Sequence, residues 1–91
     1  MEESIMCGKG WDKLINPLKK AAEATGTEVV QVKEKFGGLR FYVYNAPDWF
    51  QDIIHQMENF SYHVCESCGK PGEVREDGWI KTLCTECHEQ R

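Results

Sequence analysis

Long hydrophobic runs are missing from this chain. The longest, Phe41-Tyr42-Val43-Tyr44, falls far short of the roughly 20 apolar residues that a bilayer-crossing helix requires, which excludes a membrane-spanning function. The opening stretch, MEESIMCGKG, has neither a basic leader nor an apolar segment behind it, so no signal peptide and a cytoplasmic location are expected. The phosphate-cradling frame G-x4-G-K-[ST] is also absent, because the glycines of Cys7-Gly8-Lys9-Gly10 do not fit it. Catalytic pairs are equally scarce. Glu34, His55, His63 and Cys7 show no spacing that would bring a nucleophile to a base, so the expectation is a protein without enzymatic activity. Cations are few where a nucleic-acid polymer would need many. Residues 46–91 hold 4 Lys/Arg against 9 Asp/Glu, while residues 1–45 hold 7 against 6. A tail with a net charge of −5 opposes general binding to a phosphate backbone, although a local basic patch in the first half remains available.

What is present is ordinary globular material. With 41% apolar and 29% charged residues over 91 positions, the chain suits one small core with a metal-clipped appendage. In GWDKLINPLKKAAEATG, the residues Trp11, Leu14, Ile15, Leu18, Ala21 and Ala22 recur at helical spacing. Proline is comfortable only in a first turn, so the pattern predicts a helix capped by Asn16, beginning at Pro17 and stopping before Gly26, with residues 11–15 as a preceding turn or a kinked extension. A second amphipathic helix is expected in APDWFQDIIHQMENFSYH, with Trp49, Phe50, Ile53, Ile54, Met57 and Phe60 as its apolar stripe. Pro47 and Asp48 suit its first turn.

Between the helices, QVKEKFGGLRFYVY reads as a β-hairpin turning on Gly37-Gly38. That turn pairs Phe36 with Leu39, Glu34 with Phe41, Val32 with Val43 and Val30 with Asn45. One face carries Val30, Val32, Phe36, Leu39, Phe41 and Val43, with Glu34 as a misfit that needs a lysine, a tryptophan N–H or a helix end as partner, or a bulge that turns it outward. The other face collects Lys33, Lys35, Arg40, Tyr42 and Tyr44 beside Gln31. Cations and rings on one sheet face form either a solvated face with cross-strand pairs or a recognition surface. The ligand of such a surface would be a protein side chain, a nucleic acid or a small phosphorylated nucleotide.

The cysteines carry the sharpest signal. Cys65-x2-Cys68 and Cys84-x2-Cys87 are separated by fifteen residues, a zinc-site spacing. Between them, EVRE and GWIKTL flank Asp77-Gly78, a second hairpin signal. A knuckle, a short hairpin and a second knuckle make a zinc ribbon. Four thiolate ligands close the coordination sphere of one structural Zn2+. His88, next to Cys87, offers an alternative fourth ligand, whereas His55 and His63 read as surface histidines. Cys7, in what looks like a mobile leader, has Lys9 nearby but no histidine partner and is expected to be inert. The expected architecture is a single α+β domain and one compact unit: two helices packed on a β-hairpin over residues 1–63, followed by a small zinc ribbon over residues 64–91.

QVKEKFGGLRFYV, together with the early GW, CESCGKPG and GWIKTLC, resembles a group of small uncharacterised proteins encoded by bacteriophages and bacteria. Those share a K-F-G-x-L-R-F-Y hairpin ahead of a cysteine-bearing tail. Their last ligand motif is often C-x2-H, so Cys87 is a departure that leaves zinc binding possible. The resemblance implies a bacterial or phage-infected host cytoplasm and brings no activity with it. The role expected is an accessory protein that binds a protein partner.

Overall fold

The computed structural model describes residues 4–91. A strand β1 (Ser4–Met6) leads through a short 3-10 turn, Lys9–Trp11, into helix α1 (Asp12–Thr25). Strands β2 (Glu28–Lys35) and β3 (Gly38–Tyr44) form the expected hairpin, and helix α2 (Asp48–Phe60) follows. The C-terminal part holds β4 (Glu73–Arg75), β5 (Lys81–Leu83) and the short helix α3 (Thr85–Glu89). The larger sheet runs β1-β2-β3, with β1 parallel and β3 antiparallel to β2, and β4 pairs with β5 in a second sheet. Among the described residues no helix is long and apolar enough to cross a membrane.

Helix α1 begins at Asp12, not at Pro17, which corrects the expected start. Pro17 supplies no N–H to the Lys13 carbonyl, and interior proline costs about 3 kcal/mol. The extra turn nevertheless seats Trp11, Leu14 and Ile15, all buried. Fully burying a leucine or isoleucine stabilises by roughly 1.5–3 kcal/mol each, so tertiary burial outweighs the proline. The helix stops as expected at Gly26, whose φ of 72° gives the left-handed C-cap.

The hairpin turns one residue earlier than expected. Lys35 pairs with Gly38 and Val32 with Phe41, which leaves Phe36-Gly37 as the two-residue turn. Both have positive φ, 53° and 84°, as a type I′ turn demands. Gly38 is required for another reason: a Cβ there would lie 2.3 Å from the Tyr62 ring. Moving the turn by one residue shifts each pairing from the turn back to Gln31 by two, so the faces survive there although the partners change. Val32, Leu39 and Phe41 are buried against α1 and α2, and Glu34 faces Leu39. A bulge between Val29 and Gln31 turns Val30 outward, and Phe36 projects from the tip, so neither is a core residue.

The outer edge of β3 is covered by side chains. The Leu39 amide donates to Ser61 Oγ and the Phe41 amide to Glu58 Oε2, both at 2.9 Å. These contacts hold α2 to the sheet and remove two donors from an edge that could otherwise pair with another chain.

Candidate metal centre and hairpin face

The two cysteine pairs converge. Cys65, Cys68, Cys84 and Cys87 place their sulfurs all within 4.8 Å of one another, a group able to hold a metal ion, and all four are free of disulfides. Each pair is shaped by local backbone. After Cys65 the chain folds back through Gly69 (φ 85°), whose amide donates to the Cys65 carbonyl, while the Cys65 amide donates to Lys70 O at 2.7 Å. After Cys84 the chain enters α3, and the Cys87 amide donates to the Cys84 sulfur. Strands β4 and β5 join the pairs through the five-residue loop Glu76–Ile80, longer than a two-residue Asp-Gly turn.

Thiol chemistry in this cluster is conflicted without a cation. Burial opposes ionisation of Cys65, but backbone amides of Cys84, Cys68 and Ser67 outweigh it and lower the thiol to about 6. Cys87 moves the other way, up to about 12, because hydrogen bonding to the Cys84 and Cys65 sulfurs and burial favour its neutral form. Four negative sulfurs cannot crowd together unless a cation compensates them. A divalent ion does so, and the donor set fits one tetrahedral site. His88 is elsewhere: its Nε2 lies 2.9 Å from Asp77 Oδ2. His55 and His63 are exposed, on α2 and beyond its end.

The cysteine cluster is braced by residues 4–13, a relationship sequence reasoning missed. Strand β1 pins residues that read as a leader, and Cys7 packs against the core. Gly10 donates its amide to Glu66 O, and a Cβ on Gly10 would meet Cys65 O at 2.2 Å. The glycines of Cys7-Gly8-Lys9-Gly10 thus serve close approach to the first knuckle. The Trp11 indole N–H donates to Val64 O at 2.9 Å, and Lys13 reaches the Gly69 carbonyl. Glu66 is buried, with its carboxylate held by the Gly8 amide at 2.9 Å and Lys81 Nζ at 3.4 Å.

Of the partners open to it, Glu34 takes a lysine, and beside it a turn amide. Its carboxylate accepts the Gly37 amide at 2.8 Å and lies 3.9 Å from Lys81 Nζ. Lys81 therefore serves two carboxylates from two parts of the chain. Thr82 Oγ1 completes the joint by donating to Gly37 O at 2.7 Å.

The structure brings Lys33, Lys35, Arg40, Tyr42 and Tyr44 onto one sheet face, opposite the helices. Lys33 pairs with Arg40 across the strands and holds its Nζ 5.7 Å from the centre of the Tyr42 ring. Tyr62 joins this face, its hydroxyl 3.4 Å from the Arg40 guanidinium. Among the described residues, Lys33, Lys35 and Arg40 have no carboxylate partner. Two further rings stand out at the joint between hairpin and tail: Phe36 is 67% exposed and Trp79 76% exposed. No family model, curated protein or solved structure matches the chain.

Proposed function

We propose that this chain is a zinc-stabilised binding module, without catalytic activity, that engages a protein partner. Its resemblance to small phage and bacterial proteins suggests a bacterial or phage-infected host cytoplasm as the setting. Zinc is the metal that four thiolates in a small tetrahedral site favour. With all four positions taken by sulfur, no site is left open for water or substrate, so the ion acts as a structural clip.

The observation that carries the binding reading is the placement of the large rings. Trp49 (55% exposed), Phe60 (52%), Phe36 and Trp79 all lie on the surface, so two of the three tryptophans are outside the core. Aromatic surface of this extent favours a partner that covers it. Native mass spectrometry of tagged protein from its own cellular background tests both halves of the proposal. One zinc per chain and a retained, stoichiometric protein partner are expected. Repeated recovery of the zinc-bearing chain alone would end the partner reading, and a metal-free folded chain would end the zinc reading.

A second reading has its own support in the three uncompensated cations beside Tyr42 and Tyr44. Such a face suits a nucleic acid or a phosphorylated nucleotide. It requires binding that weakens steeply with salt and is lost in Arg40→Glu. Absence of oligonucleotide or nucleotide binding at low salt removes it.

A further inference from the structure

The hairpin tip contains a residue that folding does not explain. A type I′ turn favours asparagine or glycine at its first position, where φ is positive, yet the position holds Phe36 at φ 53°. A bulky side chain there is strained, and burial does not offset the strain because most of the ring is in solvent. Across from it, Trp79 occupies the loop between β4 and β5 and is more exposed still. Phe36, Trp79 and Ile80 line a cleft of about 320 Å³ with Glu34 and Lys35 at its polar side. This volume is at the small end of the roughly 300–1,000 Å³ typical of ligand sites, and it suits one large side chain better than a whole cofactor.

Charge and polarity narrow the occupant. Glu34 is already engaged by the Gly37 amide and Lys81, so it offers little to a base edge or a second cation. Lys35 is exposed, has no carboxylate partner among the described residues, and keeps its Nζ 5.9 Å from the Phe36 ring centre. Lys33 and Arg40, the next cross-strand pair on that face, extend the positive charge away from the cleft. An apolar slot whose carboxylate is already paired and whose rim carries the exposed Lys35 fits an apolar side chain flanked by carboxylates. A nucleobase fits less well, because Glu34, the carboxylate of the lining, is turned to the Gly37 amide and Lys81.

We infer that the Phe36–Trp79 cleft is a docking site for an acidic peptide segment of a protein partner, which inserts one apolar anchor residue between the two rings. The inference rests on the binding-module reading and gives it a location and a partner chemistry. The strained phenylalanine supplies one wall of the slot.

Fluorescence anisotropy of a labelled short acidic peptide with a central phenylalanine tests this, using the zinc-loaded full chain. Saturable binding is expected, weakened about tenfold or more by Trp79→Ala, by Phe36→Asn, by exchanging the peptide's flanking carboxylates for lysines, and by alanine at its anchor. Phe36→Tyr should retain binding. Phe36→Asn should also melt no lower than the wild type, since asparagine tolerates positive φ better, so its lost affinity is not lost folding. No saturable binding, equal binding by wild type and Phe36→Asn, or preferential binding of a labelled oligothymidylate at this cleft each overturns the inference. None of these touches the broader reading, because partner retention by the wild-type chain is measured without the peptide.

Discussion

The molecule is organised by two different physical means, and they meet along one seam. From β1 to α2, the interior is a continuous cluster including Trp11, Leu18, Val32, Leu39, Phe41, Phe50 and Ile54. The C-terminal part has a far smaller cluster, in which Leu83 is the only buried residue besides Cys65 and Cys84. Hydrophobic burial is enough to order the first region, whereas the second has too little apolar surface to offset its own chain entropy. A metal ion held by the four cysteines would fill that gap, since structural zinc in small peptides contributes an apparent 10–16 kcal/mol or so. The difference predicts that the regions fail separately. Chelation, or Cys84→Ser, should abolish amide-exchange protection at Thr82 and Leu83 while leaving it at Val32 and Phe41. Simultaneous loss in both regions would show one cooperative unit and break the comparison.

The seam should be the next most sensitive place. Gly10→Ala drives a methyl group into the Cys65 carbonyl with backbone on both sides, so neither part can yield cheaply. A loss of about 3 kcal/mol or more is expected in urea unfolding, together with weaker metal retention. Trp11→Phe is milder. It keeps most of the buried ring but leaves the Val64 carbonyl without its donor, at a cost of about 1–3 kcal/mol. If either variant loosens the core yet leaves metal affinity unchanged, the seam does not couple the two regions.

The same division explains which features the amino-acid order made legible. The cysteine cluster could be found because each C-x2-C is shaped by its own few residues. The hairpin faces were legible because side chains alternate between the turn and the bulge at Val30, and there they outlasted a misplaced turn because the pairing moved by two. The turn itself was misread because Gly37-Gly38 offers the conformational freedom that Phe36-Gly37 uses at a cost. The start of α1 depends on Trp11 reaching Val64, a contact spanning 53 positions that no local pattern encodes. Strand β1 has three residues and no alternation to reveal it. Glu66 and Lys81 look like surface charges until the fold places them beside Gly8 and Glu34.

Cys7 offers the smallest and most selective probe of the seam. Its thiol sits where β1 leaves the sheet, and burial raises it from the ordinary 9.0 to about 11, helped by the negative charges of Glu66, Asp12 and Glu34 and opposed by Lys81. Because the folded value exceeds the unfolded one, the neutral thiol's contribution is fully present below about pH 9 and fades as pH rises through about 11. Wild-type stability should therefore fall, relative to Cys7→Ala, across that window. Alkylation of Cys7 at neutral pH should also be slower than that of an unhindered thiol. A wild-type-to-variant difference that stays flat from neutral to strongly alkaline pH would mean that the thiol is not shielded from water and does not sense the nearby carboxylates. The seam would then be looser at its N-terminal end than the contacts of Gly8 and Gly10 require.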